Sequence, residues 1–164
     1  MNSTATPLDR AFAALSYVMP LASALSAGIY FLPFLQQAAP PIYAALYFVL
    51  YQTPLSILIA IENSIFGIAV FFVLFLFVIR NQDISRFIRF NVLQAIIVSF
   101  SISIGTYILS LIGVIQIPVV GEALLNVLFL GGMAIVIYGV AFSVLGRYTE
   151  VPGISDAVNA QMPF

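Results

Sequence analysis

The sequence contains no cysteine and no histidine, and only 7% of its residues are charged. Without cysteine the chain can form neither a disulfide nor a thiolate metal site, and it has no thiol nucleophile. Without histidine it lacks the side chain most often used as a general base and as a metal ligand. The remaining residues do not supply a nucleophile, a base and an orienting group together, so we expect no enzymatic activity, no metal and no cofactor.

The scarcity of charge indicates a membrane protein. The chain is 63% hydrophobic, and its charged fraction is far below the roughly 25% typical of soluble domains. A transmembrane helix needs about 20 apolar residues, so 164 residues leave room for four spans and their connections. A net charge of −1 gives no indication of nucleic-acid binding. We predict an all-α integral membrane protein with four transmembrane helices.

The charged residues mark where these spans end. The predicted divisions are an N-terminal tail at 1–10, a four-helix membrane domain at 11–146 and a C-terminal tail at 147–164. The predicted spans are 11–31, 60–79, 91–113 and 122–145.

The stretch between the first two spans is apolar, but prolines and glutamines break it into pieces shorter than a span. A short helix at 42–51 fits it best, with Tyr43, Tyr47 and Tyr51 along one face. Tyrosine is favoured at the level of the lipid headgroups. We therefore expect an interfacial helix here, and a fifth span is the alternative.

The distribution of positive charge favours four spans over five. All five basic residues are arginines: Arg10, Arg80, Arg86, Arg89 and Arg147. With four spans they all face one side of the membrane, which the positive-inside rule identifies as the cytoplasm or the stroma. Both termini would lie on that side. A fifth span would move Arg10 to the opposite side.

Three of the five arginines lie in the segment from Arg80 to Gln94, a short polar joint between two apolar stretches. We expect any function of the chain to depend on this segment. Asp83 is a candidate N-cap for the helix that follows. At least one of Arg86 and Arg89 is predicted to pair with an acid or a carbonyl of the C-terminal tail, and the alternative acceptor is a lipid phosphate.

The third span carries a mixed stripe of aromatic, amide and small side chains. At 100° per residue its members share one helix face: Phe87, Asn91, Gln94, Val98, Ser101 and Gly105. The amides of Asn91 and Gln94 must face another helix or a wet cavity, because lipid would leave them unpaired. The stripe is either a helix contact joined by hydrogen bonds or a polar lining for a client segment.

The fourth span and the tail carry contact signals as well. Small residues recur along one stripe of the span, which predicts a close helix contact within or between chains: Gly132, Gly139, Ser143 and Gly146. In the tail, Ser155 is a candidate cap for a short helix at 156–161. We expect the tail to dock on the helix bundle, and the alternative is a frayed end.

The segment V-I-R-N-Q-D-I-S-R-F-I-R-F-N-V-L-Q-A-I at 78–96, followed by G-R-Y-T-E-V-P-G-I-S-D-A at 146–157, resembles the Tic-twenty family. These proteins are twenty-kilodalton membrane subunits of the translocon at the chloroplast inner envelope, with cyanobacterial homologues. The sequence A-L-S-Y-V-M-P-L at 14–21 is similar to the family's first-helix entry. With no long extension or transit-type leader, the chain is more similar to a cyanobacterial or plastid-encoded member.

The resemblance implies a four-helix membrane domain and a set of signature or contact residues. These are Arg80, Asn81, Arg86, Phe87, Arg89, Phe90, Asn91 and Gln94, with Tyr148, Glu150, Pro152, Ser155 and Asp156 in the tail. The family continues past the Gln-Ala pair with aliphatic residues and then an Asp, whereas the aligned position here is Ser99. If that Asp serves a conducting path, this chain instead serves as an assembly subunit.

Two functional hypotheses follow. The first is a non-enzymatic component of protein translocation or membrane-protein complex assembly. It would contact other membrane subunits, lipid headgroups and client polypeptides, but no nucleic acid. The resemblance places it in a cyanobacterial plasma or thylakoid membrane, or in the plastid inner envelope. The alternative is a small ion or solute transporter with Glu62, at the outer end of the second span, as its coupling acid. We expect Glu62 to be hydrated.

Overall fold

The computed structural model describes residues 5–162, and this part of the chain is mainly helical, with no β-strand. The α-helices are α1 (Pro7–Ser16), α2 (Val18–Ala27), α3 (Phe31–Ala38), α4 (Pro40–Tyr51), α5 (Leu55–Glu62), α6 (Phe66–Val73), α7 (Arg86–Leu111), α8 (Val120–Val144) and α9 (Ile154–Gln161). A π-helical segment, Leu74–Ile79, continues α6, and a 3-10 turn, Val114–Gln116, precedes α8.

Two helices, α7 and α8, are each long and apolar enough to cross a membrane. The count rises to four if each of two bent pairs forms one span. One pair joins 7–27 to α3 through a bend of 80°, and the other joins α4 to α5 through a bend of 75°. The all-helical, apolar architecture agrees with the prediction of a helical membrane protein.

The predicted second span, 60–79, is not one continuous helix. α5 ends at Glu62, and a new helix begins at Phe66. The Ser64 hydroxyl donates to the Ile61 carbonyl at 2.6 Å and accepts from the backbone N–H of Phe66 at 3.1 Å, so it satisfies groups that the break frees. A Cβ at Gly67 would overlap the carbonyl oxygen of Glu62, and only glycine permits this approach.

The predicted short helix at 42–51 exists as α4, which begins two residues earlier. Its three tyrosines form a ladder, with ring centroids 6.0 Å apart for Tyr43 and Tyr47 and 5.0 Å apart for Tyr47 and Tyr51. The tyrosines therefore lie along one face of the helix, as their spacing predicts.

Both helix caps predicted from the sequence are wrong. α7 begins at Arg86 and is capped by Ser85, whose hydroxyl accepts from the N–H of Ile88 at 3.4 Å. The backbone N–H of Asp83 instead donates to Asn81 Oδ1 at 2.9 Å, so Asp83 belongs to a turn that precedes the helix. α9 begins at Ile154 after Gly153, whose φ of 78° ends the preceding turn.

The core lies where α2 passes between α7 and α8. Alanines of α2 allow this close approach, and Ala22, Ala24 and Ala27 have no exposed surface. The small-residue stripe of α8 faces the same interior. A Cβ at Gly132 would come within 2.7 Å of Ile102 and 2.9 Å of Ala24. The stripe predicted as a close helix contact is therefore covered by helices of its own chain.

Candidate functional site

The side chains of Tyr17, Asn91 and Gln94 meet in the interior. Tyr17 lies between α1 and α2, where Pro20 lacks the N–H that would bond the carbonyl of Ser16. Its hydroxyl donates to Asn91 Oδ1 at 3.2 Å and accepts from Gln94 Nε2 at 3.3 Å. Each of the three side chains is at most 1% exposed, so their hydrogen-bond partners must come from within the protein.

The end of α8 and the C-terminal tail complete this group. The hydroxyls of Ser143 and Thr149 approach Asn91 Oδ1 at 3.2 and 3.4 Å as donors. The Ser155 hydroxyl lies 3.4 Å from Gln94 Oε1 and 3.2 Å from the carbonyl oxygen of Thr149, and it accepts from the N–H of Val151 at 2.7 Å. We call the following six buried residues the polar network: Tyr17, Asn91, Gln94, Ser143, Thr149 and Ser155.

Apolar contacts hold the tail to the same face of α7. The Tyr148 ring stands edge-on to Phe87 and Phe90, with centroid distances of 5.3 and 5.1 Å. Val158 of α9 has no exposed surface, and Met162 is 8% exposed within the same cluster. The tail is therefore docked on the bundle by polar and apolar contacts together.

The predicted pairing of Arg86 or Arg89 with the tail is wrong. Within residues 5–162 neither guanidinium forms an ion pair or a hydrogen bond with the tail, and Arg89 Nε and Nη1 are buried without a partner. Arg86 and Glu150 are exposed and line one shallow cavity of about 340 Å³ without pairing. The network and Tyr148 already fix the tail, and this leaves the carboxylates of Glu150 and Asp156 exposed.

The remaining signature residues lie outside the network. Arg80 is exposed at the end of the π-helical segment, with Cζ 5.9 Å from the ring centroid of Phe75. Asn81 accepts the turn hydrogen bond from Asp83, and Pro152 is exposed in the turn before α9. Of the thirteen residues that the resemblance implies, the structure brings Asn91, Gln94 and Ser155 into the network.

A second polar feature is a cleft of about 580 Å³ between α2, the α5–α6 break and α7. Ser23 and Ser99 lie 2.7 Å apart, oxygen to oxygen, and Ser103 donates to Ser23 at 3.1 Å. Thr106 Oγ1 has no hydrogen-bond partner among the described residues. We call this cavity the hydroxyl cleft after the serine and threonine residues in its lining: Ser23, Ser26, Ser64, Ser99, Ser103, Thr106 and Ser110.

Two residues that the sequence singled out lie on the walls of the hydroxyl cleft. Ser99 bonds Ser23 across it. Glu62 lines the cleft and is half-buried at the end of α5, next to Asn63, whose Oδ1 accepts from Ser26 at 3.4 Å. Within residues 5–162 no group of three acidic residues is close enough to hold a metal ion.

Sequence reasoning missed Tyr17, Thr149 and most of the hydroxyl cleft. On α7 the cleft residues follow the spacing i, i+4, i+7, i+11, which places Ser99, Ser103, Thr106 and Ser110 on one helix face. The predicted stripe followed Ser101 and Gly105 instead. Ser101 is exposed, whereas Phe87, Asn91, Gln94 and Val98 are buried as the stripe predicts. The spacing of these residues could therefore have predicted their shared face, but the predicted stripe included Ser101, which lies outside the cleft.

Comparison with known proteins gives one family. The family model described as "Chloroplast import apparatus Tic20-like" matches residues 6–158. A "Tic20 family protein" of Synechocystis sp. is 43% identical, and the match covers 99% of this chain and 98% of the relative. A "Tic20 family protein Ycf60" of Cyanidium caldarium is 30% identical over 88% of this chain and 75% of the relative. No solved structure matches the chain.

Proposed function

The chain belongs to the Tic20 family, and we propose on that basis that it is a non-enzymatic membrane component of protein translocation or membrane-protein complex assembly. Such a protein must hold polypeptide segments that carry polar groups while they are at membrane depth. The task needs hydrogen-bonding groups inside an otherwise apolar bundle, and it needs no bond-breaking chemistry.

The hydroxyl cleft is the observation that carries this proposal. A peptide or hydroxyl group without a partner in an apolar medium costs roughly 2–7 kcal/mol. Hydroxyls are suited to reducing this cost, because each one can donate and accept and can rotate to fit different partners. A cleft lined by serine and threonine offers such partners without demanding one particular client sequence.

The cleft contains little fixed charge, and this favours placement of segments over ion conduction. Glu62 is the only charged side chain among the described residues that line it. Ser99 has the position at which the resembling family carries an acid, and it forms a neutral hydrogen bond with Ser23. This neutral contact supports a role in receiving or assembling client helices.

The polar network has a supporting role in the proposal. It joins α7 to the α1–α2 junction, to α8 and to the tail through residues that are all buried. Interhelical hydrogen bonds in membranes contribute about 0.6 kcal/mol on average, so several together can fix the relative positions of these helices. The wall of the cleft that belongs to α7 is thereby held in place.

We further propose four spans with both termini on the arginine-rich side, cytoplasmic or stromal, in a cyanobacterial or plastid membrane. In this arrangement α3 and α4 connect the first two spans. The chain bends by 80° after α2 and by 75° between α4 and α5. These bends turn α3 and α4 away from the two spans and support an interfacial position for both helices.

The test replaces the hydroxyls of the cleft in cells that depend on this chain. The hydroxyls of Ser23, Ser99 and Ser103 bond one another. Changing all three residues to alanine therefore leaves none of these hydroxyls without its partner, and the change should be nearly neutral for folding. We expect normal amounts of the protein, with less newly made membrane protein reaching its place and fewer proteins co-purifying in mild detergent. Ser101→Ala, on the same helix outside the cleft, is the control. Unchanged delivery and unchanged co-purification in the triple variant would refute the proposal.

A second candidate function has one specific observation in its favour. Glu62 lies half-buried on the cleft wall, where an acid could bind and release a proton or a cation. A transporter would need this carboxylate for every cycle, whereas a component that holds client segments would not.

A further inference from the structure

The guanidinium of Arg89 is in an unusual environment. Its side chain is 7% exposed, and both Nε and Nη1 are buried without a hydrogen-bond partner among residues 5–162. A buried charge without a partner costs several kcal/mol. Such a group calls for an acceptor that residues 5–162 do not supply.

An apolar groove begins on the helix face that Arg89 occupies. Leu93 and Ile96 follow Arg89 at i+4 and i+7, so the three lie on one face of α7. Both line a groove of about 480 Å³ between α7 and the α6 segment. Phe71 and Phe75 form its opposite wall, and no charged side chain lines it among the described residues.

A second arginine lies beside that opposite wall. Arg80 Cζ lies 5.9 Å from the ring centroid of Phe75, and the Arg80 side chain is exposed. Arg80 follows the π-helical segment and Arg89 lies in the first turn of α7, so the two arginines flank the short connection between these helices. Arg80 thus lies near Phe75 on one wall of the groove, and Arg89 lies one helical turn before Leu93 on the other.

We propose that this is a binding site for an anionic phospholipid, with the phosphate held by Arg89 and Arg80 and an acyl chain lying in the groove. Arginine binds phosphate oxygens through its N–H groups, and Nε and Nη1 of Arg89 are two such donors without an acceptor among residues 5–162. A phosphate at the headgroup level would supply an acceptor of the kind that these donors lack. The apolar groove favours a lipid over a free anion, because only a lipid carries chains that fill it.

The test uses the whole protein in a neutral detergent, with phosphatidylglycerol, phosphatidylcholine or inorganic phosphate added. We expect the thermal unfolding midpoint to rise and saturate with phosphatidylglycerol, and to change little with the other two. Arg89→Met should abolish the rise. In lipid-free detergent the same variant should be at least as stable as the native chain, because it removes an unpaired buried charge.

Two further variants make the result decisive. Arg80→Gln changes an exposed side chain and should fold normally, while it weakens phosphatidylglycerol binding roughly fivefold, the effect expected for one arginine beside anionic lipid. Arg86→Gln, exposed and outside the groove, should keep the full rise. A lipid-dependent rise that survives in both Arg89→Met and Arg80→Gln overturns the proposal, as does a rise that inorganic phosphate alone reproduces.

Discussion

The ring of Tyr17 occupies the space in which a Cβ at Gly139 would lie. The ring can approach α8 this closely only because position 139 has no side chain. The contact places the Tyr17 hydroxyl within reach of both Asn91 and Gln94. Stripes of small residues are common in membrane helices. In α8 the stripe leaves room for the ring of Tyr17, which lies in the polar network.

Gly139→Ala should therefore displace Tyr17 and disturb the network. Overpacking of this kind typically costs about 1–3 kcal/mol, and we expect a lower thermal unfolding midpoint in detergent. Gly131→Ala is the matched control on the same helix, because a Cβ there meets nothing within 4 Å. Equal midpoints for the two variants would show that the ring is not held against Gly139.

Asn91→Leu should loosen the tail. The change removes the acceptor of Tyr17, Ser143 and Thr149, and each stranded buried group costs roughly 1–3 kcal/mol. We expect faster amide hydrogen exchange throughout α9, measured by mass spectrometry, with smaller changes in the distal half of α7. Asn159→Leu, which is exposed on α9, is the control. Unchanged exchange in Asn91→Leu would mean that apolar packing alone holds the tail.

Glu62→Gln should leave delivery of client proteins and complex formation intact. The amide keeps the size and the hydrogen-bonding ability of the side chain, and a chain that holds client segments needs no titrating group at this position. The measurement is the same assay of membrane-protein delivery, together with uptake of ions or protons into vesicles containing the purified chain. A pH-dependent uptake that this substitution abolishes would favour the transporter instead.

The four-span topology can be tested with single cysteines, because the native chain has none. Cysteines at Asp83 and Gln161 should react with an impermeant reagent from one side of the membrane, and one at Gln36 should react from the other. Asp83 is a better position than Ser85, whose hydroxyl caps α7. Labelling of Gln36 from the same side as Asp83 would rule out four spans.

Part of the fold was readable from the sequence because charge and amides are costly in lipid. The buried positions of Asn91 and Gln94 follow from that rule. The helix contact along Gly132 and Gly139 follows instead from the spacing of small residues. The break at Asn63–Ile65 was not predicted. It depends on the approach of Gly67 to the carbonyl of Glu62, a contact that hydropathy does not encode.

The candidate site was predicted only in part. The sequence identified one side of the network, on α7, together with Ser155. It did not identify Tyr17 or Thr149, because their partners are 74 and 58 residues away along the chain. The arginine pairing was wrong because charge alone was considered. The tail is fixed by hydroxyls and by Tyr148, so no carboxylate has to approach Arg89.

Photo-crosslinking from the hydroxyl cleft tests most directly whether the cleft receives client segments. A photoreactive amino acid is placed at Ser103 in one version of the chain and at Ser101 in another, two positions on the same helix, of which only Ser103 lines the hydroxyl cleft. Irradiation during protein synthesis should give crosslinks from Ser103 to newly made polypeptides, while Ser101 crosslinks to lipid. Crosslinks to lipid alone from Ser103, or the same polypeptide products from both positions, would contradict the claim that the cleft receives client segments.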